Sequence, residues 1–272
     1  MDIETPTPAW KAKLARAAHH LADIEDQVDA YLATRPCTVI EEPVETSSFR
    51  ARLEVRNPVP DQLPLTIGDC VHNIRSSLDS LAYEIAKQRF RGQWDDRLER
   101  APAFPIYTKP KDFEDFFKAK KRGELFDTVV QRAFRQMQPF ALDERVGTLD
   151  ENDPKDYEYN ALVRLDTLWN IDKHRRIPVV GFKPGVLGWG SDGEHKRGIY
   201  ARKPYDPDEI ICYVYDDPQT RHLVTGIDYD LQLQIADDTS DLDAVTSLKR
   251  LHGHVRDWII PNILKMIATA KP

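Results

Sequence analysis

The sequence predicts an α+β fold, a helical bundle of long amphipathic helices packed with an antiparallel β-sheet, in a single domain over residues 1–272. Three observations lead there. Apolar residues recur at alternating spacings of four and three over 8–33 and 64–88, the period of a helix with one buried stripe. Residues 49–55 and 227–235 instead alternate apolar and polar, the period of a half-buried strand. No helical stretch separates the later strands, so they lack the crossovers that parallel pairing requires.

Each element has its own reason. Thr7 before Pro8 matches an N-cap with proline at the first helical position, and Trp10, Leu14, Ala17, Leu21, Ile24, Val28 and Tyr31 form the seam that follows. The segment Cys37–Glu42, then Phe49, Ala51, Leu53 and Val55 alternating with charged residues, predict a hairpin within 37–56. Ile67, Val71, Ile74, Leu78, Leu81 and Ile85 give the second seam, narrow enough for shallow helix–helix packing. Residues 110–137 read as one or two middle helices, 143–155 as an acidic loop, and 158–174 as a further helix. Strands are expected at 177–182, 198–202, 210–215 and 227–235, all within 177–236. The last helix is expected to start near Ser240, with Asp243 three residues on as a capping-box variant, and to kink at Pro261.

Bulk properties narrow the function. A chain of 272 residues, 41% hydrophobic and 31% charged, builds a sizeable core and belongs among folded soluble proteins. Its net charge of -7 repels phosphate backbones, which disfavours RNA as a partner. The opening MDIETPTPAW carries acids where a secretory signal carries bases, and no apolar run is long enough to span a bilayer, so a cytoplasmic protein without membrane contact is expected. Cys37, Cys70 and Cys212 are odd in number and widely spaced, which predicts buried reduced thiols rather than disulfides or a zinc site. His19/His20 and His252/His254 lack the same-face spacing of helical metal ligands, so neither metal nor cofactor is expected.

The chemistry-bearing residues fall in two stretches. In "GDCVHNIRSSLDSLAYEIA", His72, Arg75, Asp79 and Tyr83 share one helical stripe, and Asp69, Asn73, Ser76 and Ser80 share the next. An exposed face is normally built from stronger helix formers such as Glu and Lys, so this composition points to a task other than helicity. The competing reading is an ordinary Arg75–Asp79 ion pair at i, i+4, with His72 bonded to a neighbouring group. In "LWNIDKHRRIPVV", Asp172 continues the apolar face of Leu162, Leu165 and Trp169, so it is expected to be buried and paired across the helix interface with Arg75 or His72. Asn170 and His174 lie together on another face. Lys173, His174 and Arg175 also suit the negative end of a helix dipole before Pro178.

These two motifs together resemble a family of uncharacterised bacterial and phage-borne proteins that combine a helix of the form G-D-x-x-H-N-L-R-S-A-L-D-H-L-A with a later N-x-D-K-H-R. The resemblance covers most of residues 65–90 and 165–182. It carries over Asp69, His72, Asn73, Arg75 and Asp79 from the first motif, and Asn170, Asp172, Lys173, His174 and Arg175 from the second. The first motif also looks like the R-x4-6-H arrangement of HEPN ribonucleases, metal-independent helical-bundle enzymes of toxin and defence systems. This sequence departs from it: Ser80 stands where the first such histidine would, and a hydroxyl is no general acid or base near neutral pH.

Other features carry less. Gly188–Gly193 spells G-x-G-x-x-G, but a strand rather than a helix follows, so a flexible hairpin loop is expected. The run Lys118–Arg122 reads as a solvated helix face. The sequence therefore predicts a binding or interaction protein, whose polar cluster takes a small anionic ligand or a protein partner. The alternative is a HEPN-like ribonuclease or nucleotide-handling enzyme in which His72 or His174 would do the proton transfer.

Overall fold

The computed structural model describes residues 7–45, 48–119, 122–141, 157–174, 177, 179–191, 194–197, 210–215, 227–235 and 242–270. It is mostly helical, with antiparallel strands. Contacts gather the chain into two compact units: Met1–Ala22, Ile67–Arg176 and Ser247–Pro272 form one, and Asp23–Thr66 with Ile177–Thr246 form the other.

Helix α1 (Ala9–Ala33) begins one residue after Pro8, whose carbonyl accepts from the Lys11 and Ala12 amides. Of its expected seam, Leu14, Ala17, Leu21, Ile24, Val28 and Tyr31 are buried, and Trp10 is half-buried. It ends at Arg35, a non-glycine residue with φ of 49°, whose amide bonds back to Leu32. Helix α2 (Gln62–Arg89) buries every residue of its seam from Ile67 to Ile85.

In the first unit these helices run antiparallel. Cys70 Sγ lies 3.7 Å from the Ala17 carbonyl, the Lys13 ammonium 3.4 Å from the Ser76 carbonyl, and the Ala9 amide 2.8 Å from Glu84. Short helices follow: α3 (Asp96–Glu99), α4 (Pro110–Lys118), α5 (Arg122–Leu125) and α6 (Thr128–Gln136). The middle region is thus broken into more pieces than its sequence suggests. Asp127 caps α6 by accepting from the Val129 and Val130 amides. A chain of edge-to-face rings, Phe113–Phe117–Phe126–Phe134–Phe104, fills the space behind α4 and α6.

Helix α7 (Tyr157–His174) buries Ala161, Leu162, Leu165 and Leu168. Its Arg164 donates to Ser247 of α8 (Ala244–Gly253) at 2.7 Å, and His252 of α8 contacts the Leu14 carbonyl at 3.1 Å. Asp243 accepts from the Thr246 amide and so caps α8 itself; Ser240 lies outside the described residues. The expected kink at Pro261 takes a specific form. Residues His254–Ile259 make a π-helical turn, with the Ile260 amide bonded to Val255 five residues back, before α9 (Ile260–Thr269) resumes. Pro261 has no amide to donate and its ring crowds the carbonyl four residues earlier, which favours a widened turn just ahead of it.

The second unit carries the strands β1 (Cys37–Glu45), β2 (Ser48–Val55), β3 (Val179–Ser191), β4 (Glu194–Arg197), β5 (Ile210–Tyr215) and β6 (Ile227–Ile235). They form two three-stranded antiparallel sheets, β1-β2-β5 and β4-β3-β6, where the sequence suggested one. The division follows from β5, which pairs with the N-terminal hairpin through Ala51↔Cys212 rather than with its sequence neighbours. Gly188–Ser191 is strand, paired to β4 through Trp189↔Lys196, so the glycine motif is not a loop there. The expected strand at 198–202 and the acidic loop at 143–155 lie outside the described residues. In this unit the Tyr31 hydroxyl donates to the Asn57 carbonyl at 2.7 Å.

Candidate functional site

The cluster is built where α7 runs antiparallel to α2 in the first unit. Gly68 faces Asp172 at one end of the contact, and Arg75 faces Trp169 and Asp166 nearer the middle. One seven-residue step of α2, from Gly68 to Arg75, therefore meets the Asp166–Asp172 stretch of α7. The structure separates the expected residues into an inner group and an outer one.

Arg75 is the inner group's centre, and only 6% exposed. Its Nη1 donates to Asp79 at 2.6 Å and its Nη2 to the Phe104 carbonyl at 3.0 Å, while the Phe104 amide donates to the same Asp79 oxygen at 2.9 Å. The i, i+4 pair thus grips both backbone groups of one residue in a segment without regular structure. That segment is held again by Gln138, fully buried, which accepts from the Tyr107 amide and donates to the Pro105 carbonyl. Burying a guanidinium is costly unless its donors find acceptors, and here both Nη atoms do. Arg75 Nε sits 3.6 Å from Asp166, an ion pair without a hydrogen bond, and the guanidinium carbon lies 4.8 Å from the Trp169 ring centroid.

Of the two expected partners of Asp172, Arg75 is corrected: it is held by Asp79, Phe104 and Asp166 and makes no ion pair with Asp172, whereas His72 lies near enough to act on the carboxylate through its charge, and the expected full burial of Asp172 is corrected to half-burial. The cause lies in the helix phase. The buried stripe of α7 turns through Leu168, leaving Trp169 half-buried, so Asp166 rather than Asp172 comes level with Arg75. Asp172 lies over Gly68 instead, at the interface of the two helices but half-buried. Burial raises its pKa, Asp69 adds to the rise, and the nearby His72 opposes it.

The outer group is solvent-facing. Asp69, His72, Asn170, Lys173 and His174 are exposed and Asn73 is half-buried. Asn73 donates to the Asp69 carbonyl at 2.8 Å, and Asn170 to Asp166 at 3.1 Å. The Lys173 ammonium rests on the Trp169 ring, 2.8 Å from its centroid. Partial burial and the charge of Arg75 lower the Lys173 pKa, against the pull of Asp166 and Asp79. Arg175 lies outside the described residues.

Sequence reasoning missed Asp166, Gly68, Gln138 and the Phe104 backbone. Asp166 had a signal, since it stands four residues before Asn170 on one face. Phe104 had none, because a backbone group leaves no mark in a side-chain pattern. Arg122, expected on a solvated face, instead donates to the Ala101 carbonyl at 2.9 Å and lies 4.1 Å from the Phe116 ring centroid. Cys37 and Cys70 are buried, and desolvation pushes both thiols up to about 12, which leaves them unreactive at neutral pH. Among the described residues no group of His, Cys, Asp and Glu converges as a metal site, and no helix is long and apolar enough to cross a membrane. No protein family, curated protein or solved structure was found to match the chain.

Proposed function

We propose that the chain is a binding or interaction protein that uses the outer group of the α2–α7 cluster as its contact surface. The observation that carries this reading is the division of the cluster. Arg75 and Asp79 are committed to the Phe104 backbone and Arg75 also to Asp166 and Trp169 of α7, while Asp69, His72, Lys173 and His174 face solvent. Arg75 is the cation best suited to hold a small anion, and it is already occupied. The remaining surface mixes carboxylates, imidazoles and an ammonium, which suits a polar protein segment carrying both signs of charge.

A photocrosslinker placed at Asn170 should capture a partner, and Asp172→Lys should abolish that capture while the same crosslinker at Lys249 captures nothing comparable. Equal labelling from both positions, or capture indifferent to Asp172→Lys, would remove the proposal. The HEPN-like ribonuclease reading is tested in parallel. Purified protein should give no RNA cleavage that depends on His72 and His174; robust cleavage lost in each of His72→Ala and His174→Ala would establish the enzyme instead.

A further inference from the structure

Near the C-terminal end of α2, Tyr83, Phe90 and Trp94 bring three half-buried rings to one corner of the first unit. Glu99 of α3 sets their geometry: one carboxylate oxygen accepts from the Tyr83 hydroxyl and the other from the Trp94 indole N–H. These two rings stand at 88° to each other, with centroids 5.9 Å apart. Phe90 props Trp94 from a second direction, at 6.0 Å and 70°, with its own ring folded over Gly92, where a Cβ would stand 2.6 Å from it. Asp95 accepts from the Arg97 and Leu98 amides and so fixes the turn that joins Trp94 to Glu99.

An ammonium group sits in this corner. Lys87 Nζ lies 5.1 Å from the Trp94 ring centroid, 5.6 Å from that of Tyr83 and 3.7 Å from Glu99, and it donates to the Tyr83 hydroxyl at 3.2 Å. Aromatic faces are negative, so two faces and a carboxylate make a well for a cation. The match to a primary ammonium is poor. Its three protons need acceptors, yet both Glu99 oxygens are engaged by the rings and Lys87 reaches only the hydroxyl. A quaternary ammonium donates nothing and presents its charge through methyl groups that pack on ring faces, so it suits the corner better than a lysine does. The Lys87 side chain is 52% exposed, and an ion pair so open to water is weakly held. The net charge of -7 draws cations toward the chain.

We propose that the Tyr83–Trp94–Glu99 corner binds a small quaternary alkylammonium ion of the choline type, with Lys87 as an internal stand-in that turns into solvent when the ligand enters. The bonds to Glu99 hold both rings without help from Lys87, so the corner is preformed and only the lysine's own contacts are given up. Nothing in this depends on the role of the α2–α7 cluster.

The probe is choline, and its control is 3,3-dimethylbutan-1-ol, which has the same shape with carbon in place of the charged nitrogen. Titration of the full chain is followed by the Trp94 indole N–H resonance, identified by its loss in Trp94→Phe. Choline should shift that resonance saturably and bind at least about tenfold tighter than the alcohol; tenfold is about 1.4 kcal/mol. Lys87→Ala, an exposed substitution whose fold is checked by circular dichroism, should tighten choline at least about fivefold, because the competing occupant is gone. Glu99→Gln should weaken it at least about fivefold. Absence of saturable binding to the natural chain, equal affinity for the alcohol, unchanged or weaker choline affinity in Lys87→Ala, or shifts centred on another indole would overturn the proposal.

Discussion

Gly68 of α2 lies directly beneath the Asp172 carboxylate of α7, so near that a Cβ built on Gly68 would stand 3.0 Å from Asp172 Cγ and closer still to Oδ1. The glycine is what lets the two helices bring that carboxylate to their interface. Alanine is the better helix former by about 1 kcal/mol, so the sign of Gly68→Ala depends on Asp172.

Gly68→Ala should destabilise the protein by about 1–3 kcal/mol, the usual cost of forcing atoms into a packed contact. In an Asp172→Ala background the same change should stabilise by about 0.5–1 kcal/mol, because helix propensity then acts alone. Asp172→Ala by itself should cost less than about 1 kcal/mol, since it breaks no ion pair among the described residues. Urea unfolding of the four proteins measures the cycle, and additive effects would place the carboxylate away from Gly68.

Arg75→Ala should cost about 3–4 kcal/mol, because it leaves Asp79 and Asp166 without their cation and frees the Phe104 carbonyl from its donor. Asp79→Ala should cost more than Asp166→Ala, as Asp79 also holds the Phe104 amide. Double-mutant cycles should then rank the couplings as Arg75–Asp79 above Arg75–Asp166, with Arg75–Asp172 near zero. A large Arg75–Asp172 coupling would contradict the arrangement of α7.

His254, stacked on Trp258 in the π-helical turn with ring centroids 5.0 Å apart, has its pKa lowered by burial from 6.5 to about 4. The folded protein therefore binds fewer protons here than the unfolded chain between those values, so this contribution is present above about pH 6.5 and is lost as pH falls toward 4. His252, also lowered chiefly by burial, acts in the same direction. Between pH 7 and pH 4.5 the wild type should lose about 2 kcal/mol more stability than His254→Gln. Parallel losses in the two proteins would mean that the imidazole titrates normally.

The helical seams, the strand pattern and the Arg75–Asp79 pair were legible in the sequence because each is local. Leu14 to Tyr31 and Ile67 to Ile85 repeat with the helix, and residues four apart meet on any helix whatever surrounds it. The sequence also marked Asp172 as a carboxylate at a helix interface. What only the tertiary structure decided are the choices between distant groups. Phe104 is 29 residues beyond Arg75 and carries its contacts on the backbone, so no side-chain pattern announces it. Whether Asp166 or Asp172 meets Arg75 depends on how α7 is rotated and shifted along α2, a small difference that packing of Leu165 and Leu168 sets for the whole helix at once. The assignment of β5 to the N-terminal hairpin is of the same kind: alternation says which face of a strand is apolar, and it is the same for every edge the strand could join.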